Sequence, residues 1–240
     1  MKAYWKPTAM IAGALILVFI IFYQVEFHDS HSDLSWKTPL SGKVIVLDAG
    51  HGGPDGGAVG KGDVTEKDIA LAISHQVKHY LQQAGALVLM TREVDKDLAD
   101  ENNEDYSRRK TRDLRQRVAF VKQTKPDLLI SIHLNAIPSP RWRGAQTFFD
   151  PHMADSEKVA KFIQDSLRYH LENTDRYAKA ISNIYLLKTV DVPAALVEVG
   201  FLSNPEETDL LKTENYQYQV AASIYQGIMR YYGKEPVPEQ

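Results

Sequence analysis

Short runs rich in Val, Ile and Leu recur along the chain at Lys43–Leu47, Ala86–Thr91, Leu128–His133 and Ala194–Val199. Their apolarity is continuous rather than alternating, which suits parallel strands covered on both faces. Gln146–Phe149 and Ile184–Leu187 are two further candidate strands. Between these runs the spacing changes to that of a helix. Ile69, Ala72, Ile73, Val77, Tyr80 and Leu81 share one face, with Gly85 as the stop. Leu114, Val118 and Val121 give a second such face, Val159, Phe162, Ile163 and Leu167 a third, and Val220, Ile224, Ile228 and Tyr231 a fourth. Strands alternating with helices predict an α/β fold: a three-layer single domain with a mostly parallel central sheet. Ligands of such sheets gather at the carboxyl ends of the strands.

One run does not fit this rhythm. Residues 7–25 carry no charge, and Met10–Tyr23 is almost wholly apolar. As a helix it would span roughly 28 Å, close to a bilayer's hydrocarbon core. Lys2 and Lys6 precede it and Glu26, Asp29 and Asp33 follow, which predicts a transmembrane helix with its amino end inside. A cleaved signal peptide is the competing reading, but Phe22, Tyr23 and Gln24 stand where a small-x-small cleavage site is usual. The expected organisation is an anchor or signal segment at 1–25, a polar tether at 26–40, a catalytic domain at 41–233 and a flexible tail at 234–240. The reading puts the domain outside the cytoplasm.

Composition narrows the chemistry. The 240 residues include no cysteine, so thiol nucleophiles, disulfides and cysteine-held metals are excluded. The net charge of −3 gives no support to nucleic-acid binding. The glycine-rich loop Asp48–Ala58 lacks the G-x-G-x-x-G of dinucleotide folds, because Asp55 takes the last position. Gly60-Lys61 is followed by Gly62 rather than Ser or Thr, so it is no P-loop, and no G-x-S-x-G nucleophile elbow exists.

Four polar residues stand where packing alone would not choose them. His51 lies in the glycine loop, Glu66 opens the first long helix behind the candidate N-cap Thr65, His133 closes an apolar strand, and Glu198 is embedded in Ala-Leu-Val-Glu-Val-Gly. Singly, the first two read as a loop histidine and a dipole-favoured acid, and His133 as a satisfied core histidine. A carboxylate in a buried strand is costly unless paired or beside a metal. Together, two imidazoles and one carboxylate with water make a catalytic zinc site, and the remaining carboxylate can serve as general base.

At these residues the chain resembles a known family. Leu47-Asp-Ala-Gly-His-Gly-Gly-Pro-Asp-Gly-Gly-Ala58, Thr65-Glu-Lys-Asp68, Ile130-Ser-Ile-His-Leu-Asn-Ala136 and Val197-Glu-Val-Gly-Phe-Leu-Ser-Asn204 are similar, in this order, to the zinc-dependent N-acetylmuramoyl-L-alanine amidases. The resemblance implies Zn2+ held by His51, Glu66 and His133, with Glu198 as the catalytic carboxylate. It implies peptidoglycan as substrate, cut between the lactyl group of muramic acid and the L-alanine of the stem peptide. The anchor and the closing Arg-Tyr-Tyr look most like the membrane-anchored, germination-specific branch, whose members strip stem peptides so that muramic δ-lactam forms in the spore cortex. An activating protein partner is a further expectation. A zinc peptidase on stem peptides and a non-catalytic wall-binding protein of the same fold are the alternatives.

The chain also departs from the family pattern. Ala49 stands where proline is common, and Asp95–Tyr106 looks longer than the usual connection, with six acids in twelve residues. Arg108, Arg109, Lys110, Arg112, Arg115 and Arg117 follow it and are expected to form solvated faces, with a lid or docking surface as the sharper reading. Arg176, in a loop before Ile184–Leu187, and Asn135 are candidate substrate contacts. His75 and His79 have helical spacing without a metalloprotease glutamate and are expected on a solvated face.

Overall fold

A computed structural model describes residues 15–20, 23, 38–99 and 105–239. The chain divides into two units, Met1–Lys37 and Thr38–Gln240. In the first, residues 15–20 and 23 are helical; the rest of the expected transmembrane segment and most of the tether lie outside the described residues. Among the described residues no helix is long and apolar enough to cross a membrane.

Among its described residues the second unit holds six strands: β1 (Val44–Ala49), β2 (Leu87–Met90), β3 (Leu128–Asn135), β4 (Gln146–Phe149), β5 (Lys179–Ala180) and β6 (Ala194–Phe201). They form one sheet in the order β2-β1-β3-β6-β4-β5. β4 runs antiparallel to β6, and every other neighbouring pair is parallel. The unit's helices, among the described residues, are α1 (Glu66–Gln83), α2 (Tyr106–Thr124), α3 (Ala154–Leu171), α4 (Tyr185–Thr189), α5 (Pro205–Leu211) and α6 (Glu214–Tyr232).

Two apolar clusters explain the three layers. On one face of the sheet, Ile73 and Val77 of α1, Val159 and Ile163 of α3, and Val220 and Ile224 of α6 pack with Leu128, Ile130 and Ile132 of β3 and Val197 of β6. On the other, Val118 and Val121 of α2 and Leu186 and Leu187 of α4 pack on Val46, Leu129 and Leu196. Burial on both faces is the physical reason that β1, β3 and β6 read as continuous apolar runs. Leu40, ahead of the expected start of the domain, is already fully buried, with its N–H bonded to Ala84 O.

One element differs from expectation. Ile184–Leu187 is not a strand; Tyr185–Thr189 forms the short helix α4 instead. Leu186 and Leu187 face the second cluster while Tyr185 stays exposed. A four-residue apolar run carries too little periodicity to separate the two conformations.

Candidate active site

The carboxyl ends of β1, β3 and β6 lie side by side, with His133 directly opposite Glu198 in the β3–β6 register. Past this pair the register slips by one residue, and Asn135 comes to oppose Phe201. β4 covers the other side of β6, with Gln146 opposite Glu198.

After β1 the chain enters the glycine loop, where His51 has a left-handed backbone, φ 61. That conformation is unfavourable for a side-chain-bearing residue, so surrounding contacts must hold it. Two buried arginines do so. Arg92 donates from Nε to Ala49 O at 2.9 Å and from Nη2 to Gly50 O at 2.8 Å. Arg117 donates from Nη1 to Ala49 O at 2.8 Å and from Nη2 to His51 O at 2.5 Å. The loop's carbonyls thereby point at guanidinium groups, and the His51 ring turns toward α1.

The charge of Arg117 is balanced below the loop. Its Nη1 meets Asp48 Oδ1 at 2.7 Å and its Nε meets Asp113 Oδ2 at 2.8 Å. Asp48 also accepts from Thr91 Oγ1 at 2.8 Å and Ser131 Oγ at 2.6 Å. Burial works against ionisation of Asp48, but the guanidinium, His133 and these hydrogen bonds outweigh it and bring its pKa down to about 2. Burial likewise disfavours the Arg117 charge, yet Asp48 and Asp113 raise its pKa further. The pair is ionised at every physiological pH.

Glu66, the first residue of α1, is 3% exposed and lies between the two histidines. Its Oε1 accepts from His133 Nδ1 and from Leu134 N–H, both at 2.9 Å. Its Oε2 lies 3.1 Å from His51 Nε2 and accepts from Ala58 N–H at 2.8 Å. Burial alone would raise the Glu66 pKa; hydrogen bonds and the charges of His133 and His51 hold it well below the usual range. His133 moves the opposite way: burial would lower its pKa, and Glu66 and Glu198 raise it. One donor atom from each of His51, Glu66 and His133 falls within 4.8 Å of the others, a set that can hold a metal ion.

Two glycines make the room. A Cβ on Gly50 would stand 2.5 Å from the His133 ring, and one on Gly57 would stand 2.5 Å from Glu66 Oε2. The loop is glycine-rich because imidazole and carboxylate must pass this close to backbone.

Glu198 faces the same place from β6. Its Oε2 is buried and, among the described residues, has no hydrogen-bond partner. Burial pushes its pKa up to about 7; the nearby Glu66 charge adds to the rise and His133 opposes it. His51, His133 and Glu198 open onto a cleft of about 360 Å³, also lined by Asp48, Lys110 and Tyr185.

Thus the structure brings together all four residues singled out at the strand ends and the start of α1. The two candidate substrate contacts, Asn135 and Arg176, are not among the residues that line this cleft. Arg176 Nη1 donates to Arg143 O at 2.5 Å and Gly144 O at 2.9 Å, and its guanidinium lies over the rings of Trp142 and Phe201. Asn135 ends β3, and its carbonyl accepts from Leu202 N–H. The expectation that the basic run from Arg108 to Arg117 forms solvated faces holds for Arg108 and Arg115, which are exposed, and fails for Arg117, which is 2% exposed. A helical stripe was the missed signal, since Arg117 lies between Leu114, Val118 and Val121 on one face of α2. Asp48, Asp55 and Arg92 also act here without having been marked by spacing. The middle of the acidic segment, 100–104, lies outside the described residues; its start is tied to the loop, with Asp95 accepting from Gly53 N–H at 2.8 Å and Lys67 Nζ at 2.7 Å.

An α/β domain that gathers two imidazoles and two carboxylates at the ends of parallel strands has the equipment of a metal-dependent hydrolase. A family model described as N-acetylmuramoyl-L-alanine amidase matches residues 45–230, and the chain belongs to that family. It is 53% identical over 240 residues to the germination-specific N-acetylmuramoyl-L-alanine amidase of Bacillus subtilis (strain 168), with all of both chains covered. Among solved structures it is similar to the CwlD amidase from Clostridioides difficile in complex with the GerS lipoprotein, at 39% identity and TM-score 0.78, covering 80% of this chain and 100% of that one. It is also similar to the catalytic domain of CwlV, an N-acetylmuramoyl-L-alanine amidase from Bacillus (Paenibacillus) polymyxa, at 32% identity and TM-score 0.70, covering 80% of this chain and 99% of that one.

Proposed function

We propose that the chain hydrolyses the amide between the lactyl group of N-acetylmuramic acid and L-alanine, using zinc held by His51, Glu66 and His133. The observation that carries this reading is the convergence of those three donors beside Glu198, whose buried Oε2 has no hydrogen-bond partner among the described residues. Two imidazoles and a carboxylate are a donor set that suits zinc and leaves a coordination place for substrate. When bound, the metal would supply Lewis-acid polarisation of the scissile carbonyl and make water acidic enough to attack near neutral pH.

The chain's own groups do the rest. Glu198 Oε2 accepts the proton of the attacking water and returns it to the departing alanine nitrogen. With Oε2 free of any other hydrogen-bond partner among the described residues, this carboxylate is available for both transfers. Asn135, two residues beyond His133, and Arg176 are the proposed substrate contacts. Arg176 commits Nη1 to the carbonyls of residues 143 and 144, and its remaining donors are what a stem-peptide carboxylate would meet.

The full-length similarity to a germination-specific amidase supports a role in the spore cortex. Similarity to an amidase solved with a lipoprotein supports a protein partner for this chain. The uncharged run at 7–25 supports an anchor that leaves the domain on the outer face of a membrane. The deciding experiment is mass spectrometry of peptidoglycan digested by the purified chain. Expected products are free glycan and stem peptides beginning with L-alanine, abolished by chelator and restored by zinc. Release of terminal D-alanine alone would establish the peptidase alternative instead.

A further inference from the structure

Asp55 belongs to the glycine-loop motif but has no part in the ligand set above. Its Oδ2 accepts from His51 Nδ1 at 2.9 Å. With a metal on Nε2, the atom facing Glu66, the single ring proton of His51 would sit on Nδ1 and be donated to Asp55. The acceptor is itself held from several directions. Asp55 Oδ1 accepts from Tyr106 Oη at 2.9 Å and from Gly57 N–H at 3.1 Å, and Lys110 Nζ stands 3.1 Å from Oδ2. The Asp55 backbone is pinned to Gly52 by a reciprocal pair of hydrogen bonds, at 2.9 and 3.2 Å.

Tyr106 and Lys110 are one turn apart at the start of α2, and Asp113 and Arg117 continue the same face. The helix therefore grips the first histidine twice. Arg117 holds its backbone carbonyl, and Tyr106 and Lys110 hold the carboxylate that orients its ring.

We infer that Asp55, fixed by Tyr106 and Lys110, is a positioning residue that sets the tautomer and ring orientation of His51, so that docking of the first turn of α2 and metal affinity are coupled. This rests on the zinc reading above. A carboxylate that receives the second ring N–H of a liganding histidine fixes its orientation and raises its basicity, and losing it typically costs 10- to 100-fold in metal affinity. The outer partners act one bond further away, so their effect should be smaller.

The test is zinc affinity of the metal-free full chain, by competition with a chromophoric chelator, for the wild type and for Asp55→Asn, Tyr106→Phe, Lys110→Met and His51→Ala. Asp55→Asn keeps the shape of the side chain and is expected to weaken zinc about 10- to 100-fold. Tyr106→Phe and Lys110→Met should each weaken it about 2- to 5-fold, a fraction of the Asp55 effect. Tyr106 is 52% exposed, so loss of its hydroxyl should leave the fold intact. Unchanged thermal melting of the metal-free variants would locate the effect in the metal site, and an altered visible spectrum of the Co2+-loaded Asp55→Asn protein would report the changed ligand field. Wild-type affinity in Asp55→Asn alongside loss in His51→Ala overturns the inference and leaves the zinc reading standing. Equal, negligible zinc binding by the wild type and His51→Ala overturns both. A fall in metal-free melting that accounts for the whole affinity loss in every variant also overturns it, since the residues would then only support the fold.

Discussion

Glu198 sits in an apolar strand with its Oε2 buried, and its pKa has risen from 4.5 to about 7. An acid whose folded pKa is raised binds more protons folded than unfolded between those values, so stability must fall as pH rises through that window. The shift corresponds to about 3 kcal/mol in the metal-free protein above pH 7. Glu198→Gln removes the ionisation and should therefore unfold at higher urea than the wild type at pH 8, with the gain gone at pH 4. Equal midpoints at both pH values would refute the buried-carboxylate account. The same variant should lose about 10²- to 10⁴-fold in turnover while still binding zinc, measured by product release and metal analysis. Glu198 was legible in the sequence because a carboxylate inside Ala-Leu-Val-Glu-Val-Gly conflicts with its surroundings. Glu66 alone was not, because an acid in a first helical turn needs no special explanation. Its place in the proposed zinc set rests on contact with His133, 67 residues away.

At the scale of an element, α2 shows how a helix can look solvated and yet bury its charge. Its basic run is dense, and periodicity reports which residues share a stripe without saying which polar group will find a partner. Arg117 falls on the apolar stripe and is kept there by Asp48 and Asp113. Arg117→Ala would leave Asp48 as an uncompensated buried charge, for an expected loss of about 3–5 kcal/mol in denaturant unfolding. Asp48→Asn combined with Arg117→Met should recover part of that loss, because the Asp113 carboxylate is then the one left without its guanidinium partner. No recovery in the double variant would mean that the arginine acts through the loop carbonyls alone. Helix α4 is the converse case. Its apolar run was visible, but its conformation was decided by the second cluster, which needs Leu186 and Leu187 on one side and admits Tyr185 to the cleft.

For the whole molecule, the proposed anchor at 7–25 predicts that the full chain sediments with membranes and leaves them only with detergent, whereas a chain starting at Thr38 stays in the supernatant. Release of the full chain by high salt alone would point to a peripheral contact. The sequence by itself determined the alternation of strand and helix, the mostly parallel sheet, the absence of thiol chemistry and the four ordered polar residues. Each of these is a local property: continuous apolarity follows from burial on both faces, and donor type follows from side-chain chemistry. Only the tertiary structure decided that Asp48 and Arg117, 69 residues apart, would pair beneath the glycine loop. It alone placed Asp55 between His51 and the first turn of α2. Buried charge is tolerated only where opposite charge and hydrogen bonds reach it. Those partners come from whichever elements the fold stacks nearby, and no local pattern records which they will be.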